Sequence, residues 1–260
     1  MFPNLWIFDM YSVFMFIGIL ACFALLYLYM KKNNLKRNYI LDSLILACIS
    51  IALGILSAAL FQFIFDSLKE NSTNPIFSMT FFGGLIGGVI TFIIGYFLYM
   101  KKRYPDNSFI KDIVIIAPAC ITIAHAFGRI GCFMAGCCHG IETDSILGVR
   151  FPGLDHNVYP TQLFEAIFLF LLSSILFYLA YKHKFKYTFT IYLISYGIFR
   201  FLIEFIRGDD RGAFLGILSP SQVISIICIL IGIGIMIYFI LDSKKSNKEN
   251  DSIWVVLSLI

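Results

Sequence analysis

Seven apolar runs of about 20 residues, separated by short charged stretches, constrain this chain more than any other feature. A helix needs about 20 mostly apolar residues to cross the hydrocarbon core of a bilayer. The runs fall at 11–30, 41–65, 78–100, 112–133, 161–181, 188–206 and 220–241. Inside lipid every backbone polar group must be satisfied internally, so helices are the expected form. Composition agrees, with 59% of residues hydrophobic and 14% charged, against about 25% charged in a soluble domain. The mean hydropathy is +0.85, and the 28 phenylalanines suit lipid-facing surface. A water-soluble protein is excluded. A net charge of only +4, spread in short clusters, argues against nucleic acid as a partner.

The basic residues orient the helices. Lys31, Lys32, Lys36 and Arg37 follow the first run, and Lys101, Lys102 and Arg103 the third. Lys182, Lys184 and Lys186 follow the fifth, and Lys244, Lys245 and Lys248 the seventh. The opposite loops hold only Lys69, Arg150, Arg207 and Arg211, mixed with acids. The positive-inside rule then puts the N-terminus outside and the C-terminus in the cytoplasm. The expected architecture is an all-α integral membrane protein with seven transmembrane helices in one domain, 1–242. A polar cytoplasmic tail with a short apolar end, 243–260, follows it. The start, MFPNLWIFDMYS, lacks a basic region, and the run after it is too long for a signal-peptide core, so the first segment is expected to be retained. Residues 134–160, with Gly136, Gly140, Gly148, Pro152 and Gly153, are expected to form a structured outer loop or re-entrant element.

Against this apolar background the ionisable residues stand out, because charge inside a membrane is costly unless it is paired or faces water. Tyr196, Arg200, Glu204 and Arg207 are spaced four, four and three apart, so they share one helical face. They either neutralise one another as helix glue or line a site, and Arg207 alternatively anchors at the interface. His125 and Arg129 are four apart at the end of the fourth run. Two arginines near one leaflet suit a phosphate, which guanidinium binds bidentately, and a membrane enzyme meets phosphate mainly as phospholipid head groups. His125 is open to a packing role as well. Gly83, Gly84, Gly87 and Gly88 either pack helices closely or let a head group approach the backbone. Gln162 and Glu165, three apart in YPTQLFE, share a face, and Glu165 is placed to pair with Arg129 or Arg200. Pro160 suits a first helical turn, with Thr161 or Tyr159 as a cap. Cys132, Cys137, Cys138 and His139 fit structural-zinc spacing only loosely. A disulfide from Cys132 to Cys137 or Cys138, and plain packing, are the other readings.

The ordered set GGLIGG, HAFGRIGCFMAGCCHG, YPTQLFE and YGIFRFLIEFIRGDD resembles the bacterial phosphatidylglycerol–prolipoprotein diacylglyceryl transferase family over nearly the whole chain. The resemblance implies transfer of the diacylglyceryl group of phosphatidylglycerol to the lipobox cysteine thiol of prolipoprotein signal peptides. A thioether forms, glycerol phosphate leaves, and neither a metal nor an organic cofactor takes part. It implies residence in the bacterial plasma (inner) membrane as a multi-pass protein. It assigns the signature arginine to Arg129, the sixth-helix pair to Arg200 and Glu204 with Tyr196 one turn earlier, the first-helix tyrosine to Tyr11, and the signature's last glycine to Gly140. This chain carries a cysteine-rich variant of the pattern. Phe82 stands where the family has histidine, Cys132 where it has asparagine, Cys137 where it has glutamate, and Tyr159 where it has a second histidine.

The expected site therefore comprises Arg129 and Arg200 holding phosphate, Glu204 orienting Arg200, and Tyr196 beside them. His125 or His139 is the proton acceptor in place of the missing histidine. Tyr11, Gly83, Gly84, Gly140, Gln162, Glu165 and Arg207 are the expected substrate contacts. Two other classes fit the residues. One is a related phospholipid-dependent transferase with a different acceptor. The other is a non-enzymatic metal or redox protein built on Cys132, Cys137 and Cys138. A transporter is the weaker fit, because the seven runs show no inverted repeat.

Overall fold

The computed structural model describes residues 4–5, 8–35, 37–68, 81–105, 108–208 and 218–246. Their architecture is helical. A two-residue pairing of Asn4–Leu5 with Phe8–Asp9 precedes the first helix. The helices are α1 (Met10–Lys32), α2 (Arg37–Leu68), α3 (Phe81–Gly95), α4 (Ser108–Ala135), α5 (Thr161–His183), α6 (Thr188–Ile203) and α7 (Pro220–Ser246). Each matches one apolar run of the sequence. The pattern of charges between them matches too, since the last turns of α1 and α5 carry Lys31, Lys32, Lys182 and His183.

Six of these helices are long and apolar enough to cross a membrane. The third is the exception to the expected seven. Its α-helical part is only 15 residues. A π-helical turn, Tyr96–Met100, and a last turn, Lys101–Arg103, carry the chain onward. In the π turn the Lys101 N–H donates to Tyr96 O, so the ordinary four-residue hydrogen-bond ladder slips by one residue there. The expected start of that run, 78–80, and the tail beyond Ser246 lie outside the described residues.

The chain divides into two compact units: Met1–Tyr29 with Ile113–Ile260, and Met30–Asp112. In the second unit α2 and α3 meet through glycine. A Cβ on Gly54 would lie 2.9 Å from Gly84 O, and one on Gly84 would lie 3.3 Å from the Ala58 Cβ. The Ser57 hydroxyl donates to Gly83 O at 2.9 Å. Small residues and interhelical hydroxyl bonds are the means by which helices associate in lipid, where apolar burial gives little drive. Gly83 and Gly84 thus serve helix packing within this unit.

In the first unit α4, α5, α6 and α7 pack closely. Phe168 stacks on Phe199 with centroids 4.1 Å apart. Ser173 of α5 donates to Ala119 O at 2.9 Å, and Thr188 of α6 to Ile115 O at 2.7 Å. Gly197 and Gly232 let α6 and α7 approach, since a Cβ on either would lie 2.7 Å from an isoleucine side chain. Phe16, Leu230 and Tyr238 of this unit, like Leu56 and Leu98 of the other, are well exposed. Apolar side chains at this density on outer faces are what lipid, rather than water, solvates.

Candidate active site

α4 ends where the glycine-rich signature takes over. Gly136 has φ +71° and accepts the left-handed conformation at no steric cost, but Cys138 adopts φ +63° with a full side chain. The loop from Gly136 to Pro160 is not loose. Glu142 and Val149 both bridge to Val158. Gly140 donates to Tyr159 O at 2.7 Å, Ile141 to Ile206 O at 2.9 Å, and Gly208 to His139 O at 3.2 Å. Three chain segments therefore cross at Gly140. A Cβ there would sit 2.5 Å from Ile206 O and 2.8 Å from the Tyr159 Cβ, so glycine is the residue that fits.

From α5, two side chains hold the same loop by its carbonyls. Thr161 Oγ1 donates to Cys138 O at 2.9 Å, and Gln162 Nε2 donates to Cys137 O. This differs from the expected capping. Pro160 itself occupies the N-cap, no side chain caps the helix, and Thr161 is used as a tether. Gln162 likewise reaches loop backbone.

One turn further along α5 lies Glu165, fully buried. Its carboxylate gathers three side chains from two other helices. Arg129 Nε stands 2.9 Å away, His125 Nε2 stands 3.6 Å away, and the Tyr196 hydroxyl donates at 2.9 Å. The Arg129 contact has ion-pair but not hydrogen-bond geometry, so charge attraction is its main component. The His125 ring packs edge-on to Tyr196 at 5.4 Å, and the Tyr192 ring stacks on Tyr196 at 5.9 Å. Of the two arginines open to it in sequence, Glu165 pairs directly with Arg129.

The second half of the site is on α6 and its continuation. Arg200 Nη2 contacts Glu204 Oε2 at 2.8 Å and donates to Ser221 Oγ of α7 at 3.0 Å. Ser219 Oγ donates to the other Glu204 oxygen at 2.8 Å, and Arg207 Nε stands 3.9 Å from Glu204. The helix tightens into a 3-10 turn over Glu204–Ile206, and Arg207 is extended, with φ −78° and ψ 142°. This exit lets Arg207 pair its backbone with Gly140. Arg200 also acts electrostatically on Glu165 and His125, which links the two halves. Its Nη1 is buried and has no hydrogen-bond partner among the described residues.

The thiols form a third group. Cys132, Cys137 and Cys138 place their sulfurs within 4.8 Å of one another. All seven cysteines are free thiols, so the expected disulfide from Cys132 is not formed. Hydrogen bonds from the Cys132 and Cys137 thiols hold the Cys138 thiol well below the usual thiol range, and the Arg207 guanidinium adds to this. Tyr11 of α1 packs here, its ring 3.1 Å from where a Cβ on Gly131 would be, and interacts with all three sulfurs and Arg129. His139 stands apart. Its Nδ1 lies 3.1 Å from Gly140 O and its ring packs 5.6 Å from Phe151. Sequence reasoning did not anticipate Ser219 and Ser221, because a serine pair opening an apolar helix reads as ordinary helix-start chemistry.

Fold and site together define a polytopic helical membrane protein whose buried arginines are matched with carboxylates beside a thiol-rich loop. The family model described as prolipoprotein diacylglyceryl transferase matches residues 4–238. A phosphatidylglycerol–prolipoprotein diacylglyceryl transferase of Clostridium tetani is 37% identical over 252 residues, covering 92% of this chain and 94% of the relative. One of Clostridium perfringens is 37% identical over 250 residues, covering 92% and 93%. One of Clostridioides difficile is 32% identical over 231 residues, covering 85% of each. The chain belongs to the prolipoprotein diacylglyceryl transferase family.

Proposed function

We propose that this protein transfers the diacylglyceryl group of phosphatidylglycerol to the lipobox cysteine thiol of prolipoprotein signal peptides. It does so as a multi-pass protein of the bacterial plasma (inner) membrane. The one observation that carries the site assignment is the buried Arg129–Glu165 and Arg200–Glu204 arrangement, with Arg200 Nη1 left without a protein partner among the described residues. A buried polar group without a partner calls for a ligand, and a phosphodiester supplies the acceptor oxygens a guanidinium takes.

In this reading Arg129 and Arg200 hold the phosphate and stabilise charge growing on the leaving oxygen. Glu204 and Ser221 fix the Arg200 fork, and Glu165 fixes Arg129, His125 and Tyr196 together. The acceptor sulfur attacks the glycerol carbon bearing the phosphate. The carbon–sulfur bond forms as the carbon–oxygen bond breaks, and glycerol phosphate leaves with the electron pair. His125, beside Glu165, accepts the thiol proton, whereas His139 serves the loop. Tyr11 and Arg207 border the acceptor side, and Gly140 and Gln162 keep the loop in place.

The proposal extends to topology. Basic residues after α1, α3, α5 and α7 support an N-terminus outside and a cytoplasmic C-terminus. Residues 1–242 form the transferase domain and 243–260 its cytoplasmic tail. The test is complementation of a strain depleted of its own diacylglyceryl transferase, with expression confirmed by blotting. Rescue by the wild type and loss with Arg129→Ala are expected. Failure of the well-expressed wild type to lipidate a lipobox substrate redirects the reading to a transferase with another acceptor.

A further inference from the structure

α7 opens with Ser219, Pro220, Ser221 and Gln222, and this short run is joined to the site by hydrogen bonds. Ser219 and Gln222 form a reciprocal cap. The Gln222 N–H donates to Ser219 Oγ at 3.2 Å, and the Ser219 N–H donates to Gln222 Oε1 at 3.0 Å. Pro220 at the first helical position fits the same start, since it has no N–H to leave unpaired. Capping uses the Ser219 hydroxyl as an acceptor only. Its single proton goes to Glu204 Oε1 at 2.8 Å. The cap of α7 and the carboxylate that holds Arg200 are therefore one connected network.

Ser221 meets Arg200 directly. Its Oγ accepts from Arg200 Nη2 at 3.0 Å. A hydroxyl also has a proton to donate, and among the described residues no acceptor takes it. The Ser221 backbone N–H lies in the first turn, where an N–H has no partner within the helix. Beside these two donors stands Arg200 Nη1, on a residue only 7% exposed and with no partner among the described residues. A helix start of this kind is ordinary by itself. Here a buried guanidinium nitrogen that lacks an acceptor meets it, and buried polar groups call for partners.

We infer that the first turn of α7 completes the phosphate subsite, with Ser221 donating to the phosphodiester beside Arg200 and with Ser219 and Gln222 as positioning residues. This rests on the transferase reading for its ligand. A phosphodiester has two non-bridging oxygens. Arg200 Nη1 takes one, and the Ser221 hydroxyl and N–H take the other. The positive end of a 27-residue helix favours the anion. When the acceptor sulfur attacks the glycerol carbon, the carbon–oxygen bond breaks and its electron pair moves onto the phosphate oxygen. The phosphate thereby gains a second negative charge, and donors already in place stabilise it most at that moment. Ser219 acts at one remove. It holds Glu204, and Glu204 with Ser221 holds Arg200 Nη2, which leaves Nη1 for the phosphate.

The test uses full-length protein in vesicles of phosphatidylglycerol and phosphatidylcholine, with a lipobox peptide as acceptor. Ser221→Ala should lower kcat about tenfold to a hundredfold, the worth of one hydrogen bond to a charged group. The KM for the peptide should stay within about twofold. Ser221→Thr, which keeps the hydroxyl and the N–H, should recover most of the rate. Ser219→Ala should lower kcat as well, and Ser219→Thr should restore it. Aspartate caps a helix as well as serine does but cannot donate to Glu204, so full activity in Ser219→Asp would overturn the positioning role. Phosphorothioate phosphatidylglycerol reports the contact itself, since sulfur is the weaker acceptor. One diastereomer should be slower in the wild type, and Ser221→Ala should remove that difference. Equal rates for both diastereomers in the wild type overturn the inference, whether or not the variants fold. An unchanged kcat in Ser221→Ala does the same, and in both cases transfer by the wild type leaves the transferase reading intact. Wild type that transfers nothing but binds glycerol phosphate in calorimetry, more tightly than Ser221→Ala does, upholds the subsite and overturns the transferase reading. Absence of both transfer and binding overturns both.

Discussion

Glu165 offers the sharpest test of how the site is built. Its carboxylate is fully buried and the Arg129 side chain is 14% exposed. Breaking a buried ion pair by removing one partner costs about 3–5 kcal/mol, because the other charge is left buried. Replacing both partners by neutral groups of similar size costs far less. Glu165→Gln keeps the shape and an oxygen that accepts from Tyr196 at the 2.9 Å position, but it strands Arg129. Arg129→Gln strands Glu165 in turn. Each single variant should therefore lose about 3–5 kcal/mol in detergent unfolding followed by circular dichroism. The double variant should lose less than the sum by more than about 1 kcal/mol, as coupled neighbours do. Transfer activity should behave differently. All three variants should be slow, and the double should regain stability without regaining turnover, since it lacks the guanidinium proposed to hold phosphate. Additive stability losses within about 0.5 kcal/mol would refute the pairing. Restored turnover in the double variant would refute the phosphate role of Arg129.

Other consequences are simpler to read. Gly140→Ala forces a methyl against Ile206 O and the Tyr159 Cβ, and thermal unfolding should show a loss of about 1–3 kcal/mol. Gln162→Leu removes the donor to Cys137 O. It should cost about 1–3 kcal/mol and hasten proteolysis of the loop after Ala135. Gly54→Leu should separate α2 from α3, where a Cβ already meets Gly84 O at 2.9 Å, and a disulfide-trapping pair across these helices should then no longer form. Arg103→Gln should leave the unfolding midpoint unmoved, because the Arg103–Asp42 pair at 3.0 Å is half in water on its arginine side.

Helix positions were legible because length and hydropathy alone decide which segments can span a bilayer. The break in α3 was not, because Tyr-Phe-Leu-Tyr-Met reads as continuous apolar helix, and a π turn leaves no mark in hydropathy. The polar residues that matter were legible by cost. Arg129, Arg200, Glu204 and Glu165 stand out when everything near them is apolar. Their partners were only half legible. Spacing gives Arg200 to Glu204 on one helix, but it cannot choose between Arg129 and Arg200 as the mate of Glu165, because that depends on how α4, α5 and α6 pack. The role of Thr161 was misread for the same reason. Capping is a local rule, and its side chain instead reaches a carbonyl more than twenty residues away, as does that of Gln162.

The spacing along α4 explains why these parts belong together. Arg129 and Cys132 are three residues apart, so their side chains leave one helical face about 5–6 Å from each other. In the proposed reaction the substrate's sulfur, not Cys132, is the nucleophile, so this spacing sets only how near the thiol loop lies to the guanidinium proposed to hold phosphate. Glu165 and Glu204 have a common purpose, since each fixes a guanidinium by an ion pair. The loop is pinned by α5 and by the strand-like pairing of Gly140 with Arg207, so the sulfurs hold their distance from Arg129 while substrate enters.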